Sequence, residues 1–413
     1  MNQVLAAVNR LRQVEPVAWR AEVREVAVIL TSSRSGSTLL KSVLAEHPRI
    51  ASLDGEIEPY LVLTENGFGH GADSDAVAEL RNPERLADHV FDDLSLPGAE
   101  PAPPDWLLRR WANRLLLQFP AYFADSLRHR RMQGALEQAL AQAGPWPADP
   151  GGALRQALVL QAVFAQAPWR RRYYDGHAGS VGTQYFDEPY KIEEPPFVLP
   201  RHGRRPFALA DAADKVLLFK APSDAYRIGM YEQLFPRARV RYLHLSRGYA
   251  QSVNGLMDGW LSPLGFFSHD MARAGVVLDI AGYSDQRPFG RRWWKFDLPP
   301  GWRALRGAPL GQVCLRQWLA AHQAILAGGV ATLRVRFEDF MAAPGAALAR
   351  ITDFLGLEAM ALPARLPISM ATEAPAPERW RKREQLLLAL GQRAEVAATM
   401  AALGYGMDAG EWR

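Results

Sequence analysis

One stretch constrains the chain more than any other: VAVILTSSRSGSTLLKSVLAEHP, Val26 to Pro48. EVAVIL (25–30) is a short continuous apolar run, the pattern of a central strand of a parallel sheet. A Ser/Gly loop follows, then a helix whose Leu39, Leu40, Val43 and Leu44 form one apolar stripe ahead of Pro48. Strand, loop and helix in this order make a phosphate-binding layout, because a helix N-terminus presents unpaired N–H groups and the positive end of its dipole. The nucleotide version reads G-x-x-x-x-G-K-[ST]. Aligned on Thr31–Thr38, this loop keeps Gly36 and Thr38 but has Thr31 for the first glycine and Ser37 for the lysine. Its one cation, Arg34, lies inside the loop.

Further along, strands and helices alternate. KVLLFKAP (215–222), ARVRYLHLSR (238–247) and ATLRVRFEDF (331–340) read as strands. DAYRIGMYEQLFP (224–236), GYAQSVNGLMDGW (248–260), LGQVCLRQWLAAHQAILAGG (310–329) and PGAALARITDFLGL (344–357) read as helices, and one or two more close the chain within 375–406. This alternation predicts βαβ units: an α/β, P-loop-like, three-layer fold with a central parallel sheet flanked by helices. Residues 1–24 read as an amphipathic helix broken near Pro16. Between 60 and 214 the pattern is helical, with periodic runs at 105–144 and 151–168, so a largely helical insertion is expected. The Pro- and charge-rich stretch 187–207 reads as surface loop. The whole of 1–413 is expected to form one domain, with 256–305 as a substrate-side loop region.

Composition narrows the partners. Of 48 Lys and Arg residues only six are lysine, which suits bidentate anion recognition, yet the net charge of +4 is too small to argue for nucleic acid. Cys314 is the single cysteine, so neither an internal disulfide nor a cysteine zinc site is expected, in keeping with a cytoplasmic protein. No run of about 18 uninterrupted apolar residues predicts a membrane span, and Arg10, Arg12 and Glu15 interrupt the N-terminal segment.

Ser35, Gly36, Ser37 and Thr38 are placed to surround a phosphate, with Arg34 at its outer end. Arg247 closes the strand YLHLSR, at the edge where ligands bind in open α/β sheets. Ser252 lies one and a half turns into the next helix. Two strand ends, each with an arginine and hydroxyls, suit a nucleotide carrying two separate anionic groups. With no loop lysine and no apolar strand ending in a metal-holding aspartate, a P-loop kinase is the weaker enzyme alternative. A nucleotide-binding protein without chemistry is the other.

TSSRSGSTLL, then RYLHLSRGYAQSVNG, then RVRFEDFMAAPGAALARITDFLGL resemble, in order and spacing, three landmark segments of the sulfotransferases that use 3′-phosphoadenosine 5′-phosphosulfate. The Arg34–Thr38 loop resembles the bacterial-type, carbohydrate and tyrosyl-protein branches. The resemblance covers 25–58 and 215–406 and is weak over 60–214. It implies a sulfuryl transferase acting on a hydroxyl of a small metabolite or glycoconjugate, with that donor as co-substrate and no metal. It implies that Arg34–Thr38 hold the 5′-phosphosulfate and that Arg247 grips the 3′-phosphate. The family's 3′-phosphate serine falls on Gly255 here, which leaves Ser252 or Asn254 to replace it. PERWRKR resembles a late segment that closes over the nucleotide, implying Arg379, Arg381 or Lys382 at the 3′-phosphate and Trp380 near the adenine. Lys220 ends its strand at the same edge as a catalytic candidate beside Arg34. LDGEIEPY (53–60) resembles segments holding a glutamate base, and Glu58 is favoured over Glu56. The histidine that another branch places after Lys220 is absent; His269, in FFSHD, is the outside candidate. His47 and His244 read as structural. The rings of Trp260, Phe266, Phe267, Trp293, Trp294 and Trp302 are expected mostly to form the underside of the long loop.

Overall fold

The computed structural model describes residues 2–144, 152–174, 185–195, 198–363, 365–368 and 370–412. Among them nine strands form two sheets. The strands are β1 (Glu25–Thr31), β2 (Ile50–Ser52), β3 (Ser95–Pro97), β4 (Arg204–Pro206), β5 (Val216–Lys220), β6 (Arg239–Ser246), β7 (Phe267–Asp270), β8 (Trp293–Lys295) and β9 (Thr332–Arg336). The main sheet runs β4-β3-β2-β5-β1-β6-β9. Its strands β2, β5, β1, β6 and β9 are parallel, and β3 and β4 extend it antiparallel at one edge.

Alternation along the strands divides the core into two layers. Val26, Val28 and Leu30 face one, with Leu217 and Phe219; Ala27 and Ile29 face the other, with Val216, Leu218, Leu243 and Leu245. The second layer is covered by Leu40, Val43 and Leu44 of helix Ser37–Leu44 and by Leu348, Ile351 and Leu355 of helix Pro344–Leu355. The first is covered by helices Tyr249–Leu261 and Leu310–Ala327, through Val253, Leu256, Val313 and Trp318. Both faces of β1 are therefore buried, which is why it reads as an unbroken apolar run.

Several local expectations change. The helix expected over 224–236 is a 3₁₀ turn, Pro222–Tyr226, and a short helix, Met230–Leu234, separated by Gly229 at φ 93°. The strand expected over 331–340 stops at Arg336. Phe337–Ala342 is helical, with Glu338 and Asp339 favourably placed in its first turn. The N-terminal helix is confined to Asn2–Arg12, with a 3₁₀ turn at Trp19–Ala21. The segment 60–214 is largely helical, and it also contributes β3 and β4 to the main sheet. Nor is 187–207 a surface loop. Glu193 and Arg204 are buried, the latter donating to the carbonyls of Ala45 (2.7 Å) and Ser95 (2.5 Å). Residues 196 and 197 of that stretch, 151 of the expected 151–168 helix, and 145–150 and 175–184 of the insertion lie outside the described residues. The loop 256–305 contains the antiparallel β7–β8 pair, and the rings of Trp260, Trp293, Trp294 and Trp302 are buried in the core. Among the described residues no single helix is long and apolar enough to cross a membrane.

Candidate active site

At the carboxyl edge of the parallel strands lies a cleft of about 1040 Å³. Arg34, Thr38, Glu56, Glu58, Lys220 and Arg247 all line it. They reach it from the ends of β1, β2, β5 and β6, so the parallel order of the sheet brings residues 213 positions apart in sequence into one site.

The loop after β1 is held from several sides. Arg34 at φ 68° and Gly36 at φ 84° are both left-handed, a conformation that is strained for arginine. The Arg247 guanidinium donates from Nη1 to the Arg34 carbonyl at 3.3 Å. Ser33 Oγ donates to Asp297 Oδ1 at 2.6 Å, and the hydroxyls of Ser32 and Ser35 pair at 2.7 Å. Gly36 lies against the ring of Phe337; a Cβ there would fall 2.1 Å from Phe337 Cε2. That ring also lies under Arg247, 4.9 Å from guanidinium carbon to centroid.

Three of the cations that line the cleft come together around this loop. Arg34 donates to the carbonyl of Met370 at 2.6 Å and to Thr372 Oγ1 at 3.4 Å, and its guanidinium lies over Phe266. Burial, reinforced by Arg247, pulls its pKa down to about 10. Burial also lowers the pKa of Arg247, whose Nε is enclosed with no hydrogen-bond partner. Lys220 Nζ donates to Thr38 Oγ1 at 3.2 Å and pairs with Glu56. A fourth, Lys41, was missed in the sequence because it sits within the apolar stripe of its helix. It donates to the Gly55 carbonyl, and burial with Arg201 and Lys220 nearby pulls its pKa down to about 7.

The two glutamates differ. Glu56 is engaged by Lys220. Glu58 accepts from Ser223 Oγ and from Arg227 Nη1 (2.9 Å), while its Oε2 is enclosed without a partner. Burial, and secondarily Glu56, raises its pKa against the opposing pull of Arg227. Asp54, between the strand end and Gly55, is fully buried between Arg110 and Arg201, which hold its carboxyl far below the ordinary range. His269 lines the cleft and contacts Asp75 Oδ2 through Nε2 at 3.3 Å.

Other expected contacts fall elsewhere. Ser37 and Gly36 line the cleft, but the Ser35 side chain is buried against Ser32. Ser252 is buried and donates back to the Arg247 carbonyl at 3.3 Å, so its hydroxyl turns onto the backbone ahead of its helix and does not line the cleft. Asn254 does line the cleft and accepts from Arg383. Gly255 lies beside Arg34: a Cβ there would make ordinary contact, 3.4 Å from Arg34 Cβ and 3.6 Å from its Nε. Of the late basic segment, Arg379 reaches the cleft and pairs with Asp258 at 2.8 Å. Trp380 is fully buried against Trp412, donating to its carbonyl at 2.8 Å, so it belongs to the core. Arg381 points to solvent between Glu378 and Glu384, and Lys382 pairs with Glu373 and Asp258 at 2.7 Å each. Glu338 was also missed. It accepts the Gly248 N–H at 2.9 Å and so fixes the turn just after Arg247.

No protein-family profile and no curated protein matches the chain. Among solved structures it is similar to the sulfotransferase domain from the curacin biosynthetic pathway, at 13% identity and TM-score 0.37, over 93% of this chain and 99% of that one. It is likewise similar to the sulfotransferase domain of the Synechococcus PCC 7002 olefin synthase (16% identity, TM-score 0.34, 95% and 99% covered). A third is the sulfotransferase from Alicyclobacillus acidocaldarius (10%, 0.34, 95% and 99%).

Proposed function

We propose that the chain is a sulfotransferase that moves a sulfuryl group from 3′-phosphoadenosine 5′-phosphosulfate to a hydroxyl of a small metabolite or glycoconjugate, without a metal. The observation that carries this reading is the convergence of Arg34, Lys220, Arg247 and Thr38 with two glutamates on one cleft at a strand-loop-helix turn.

The donor, as substrate, brings a sulfuryl group on a phosphate leaving group. Its 5′ end is assigned to Arg34, Gly36, Ser37 and Thr38, and its 3′-phosphate to Arg247 with Asn254 and Arg379. An anion at Arg34 replaces the Met370 carbonyl and the Thr372 hydroxyl, both of which that guanidinium now holds. Lys220 and Arg34 stabilise negative charge on the leaving oxygen. Glu58 takes the acceptor's proton, because its partial burial raises its pKa against the pull of Arg227 and so makes it a stronger base than an exposed carboxylate. Glu56 holds Lys220 in place.

Incubation with sulfur-35-labelled donor, in chelator, across a panel of hydroxyl acceptors tests this. Transfer is expected to fall about 10²–10⁴-fold in Glu58→Gln. Full activity in Glu58→Gln would remove that residue from the mechanism, and donor turnover only with added divalent metal would contradict the metal-free reading.

A further inference from the structure

The loop carrying Glu56 and Glu58 is backed by buried charges that the chemistry above does not use. Arg110, Arg114, Asp54, Asp93 and Glu193 all have side chains no more than 6% exposed. Burying this many charges makes a poor source of stability, because desolvation offsets much of the attraction. The arrangement does fix geometry. Asp54, ahead of the glutamates, is gripped by Arg110 and by Arg201 Nε at 3.0 Å. Tyr60, after them, accepts through its hydroxyl from Arg114 Nη2 at 2.8 Å. Between these points the Gly55 carbonyl accepts from Lys41, and a Cβ on Gly55 would lie 3.0 Å from Glu193 Oε1. Glu193 in turn pairs with Arg114.

Arg110 and Arg114 project from one helix, Pro104–Gln118, four residues apart. They therefore share a face, separated by about 6 Å of helix rise. Both also meet Asp93: Arg114 as an ion pair, Arg110 through a 2.8 Å hydrogen bond to its carbonyl. Guanidinium groups suit this use, since each fork serves two acceptors at fixed angles.

We propose that Arg110 and Arg114 are positioning residues that hold the two flanks of the Glu56–Glu58 loop at a set spacing, so that the helical segment after residue 60 acts on catalysis through that loop. The proposal rests on the roles given to Glu56 and Glu58 above.

The test compares the full chain with Tyr60→Phe, Arg110→Lys and Arg114→Lys. Backbone hydrogen exchange over 53–60, kcat, and affinity for 3′-phosphoadenosine 5′-phosphate are measured for each. Exchange over 53–60 is expected to quicken about tenfold, and kcat to fall about ten- to hundredfold, as for displaced catalytic groups generally. Affinity for the bisphosphate is expected to stay within about twofold, because neither arginine lines its binding loop. Should the lysine variants fail to fold, Tyr60→Phe decides alone, since it removes one hydroxyl from a packed ring. Wild-type exchange over 53–60 with only a lowered Tm would overturn the proposal, as would faster exchange with unchanged kcat. Exchange is read without turnover, so a chain that transfers no sulfuryl group would defeat the functional reading while the exchange result still judged the tether.

Discussion

Gly36→Ala isolates the packing that shapes the phosphate loop. At φ 84° the backbone is left-handed, which costs a residue with a Cβ about 1–2 kcal/mol. The new methyl would also fall 2.1, 2.4 and 2.9 Å from Cε2, Cδ2 and Cζ of Phe337, so that ring must move. Overpacking of this kind costs about 1–3 kcal/mol, which brings the expected destabilisation to about 2–5 kcal/mol. The ring lies under the Arg247 guanidinium, so its displacement also disturbs the second anion site. Urea denaturation of Gly36→Ala, Phe337→Ala and the double variant separates the parts. Removing the ring relieves the contact but not the backbone strain, so the cycle is expected to return a coupling of about 1–3 kcal/mol. A single variant within about 0.5 kcal/mol of the parent, or strict additivity with Phe337→Ala, would refute the reasoning.

Three further outcomes follow from the site. Burial raises the pKa of Glu58, and a base must be ionised, so kcat/KM is expected to fall as pH drops through that raised value. An unchanged acid limb in the residual activity of Glu58→Gln would assign it to another group. Lys41 titrates at about 7 in the folded chain against 10.5 ordinarily, so between those values the unfolded chain holds more protons and stability grows as pH rises. Lys41→Met is expected to flatten the gain in Tm between about pH 7 and 9; an unaltered slope would count against the depressed value. Trp380→Ala should lower stability by about 3–5 kcal/mol through the cavity it leaves, and Arg381→Ala should leave stability and bisphosphate affinity unchanged. Loss of binding in Arg381→Ala, measured by calorimetry, would return that arginine to the site.

The central parallel strands were legible from local pattern where burial was two-sided. β1 and β5 are continuous apolar runs, and each is followed by a loop or residue that the sheet carries into the cleft. Arg34, Lys220 and Arg247 were readable because their strand ends are marked by Gly, Ser or Pro. What stayed hidden depends on partners far away in sequence. Ser33 meets Asp297, 264 residues on, and Arg34 meets Met370, 336 residues on. No local spacing encodes either contact. Charge misled in the same way. The Pro- and charge-rich 187–207 reads as solvated, yet Glu193 and Arg204 are neutralised or hydrogen-bonded inside. Trp380 sits in a basic run that suggested a ligand surface, but the register of that 3₁₀ turn rotates the indole inward onto Trp412 and leaves Arg381 outside. Ser252 fell on the inner face of its helix, where its hydroxyl found a backbone carbonyl.

The most direct test of the central claim is calorimetric titration of the metal-free chain, in chelator, with 3′-phosphoadenosine 5′-phosphate, beside a titration with ATP and magnesium. The account predicts tight binding of the bisphosphate that collapses in both Arg34→Ala and Arg247→Ala. Absence of bisphosphate binding, with ATP and magnesium bound instead, would contradict it and return the loop to the nucleotide kinases.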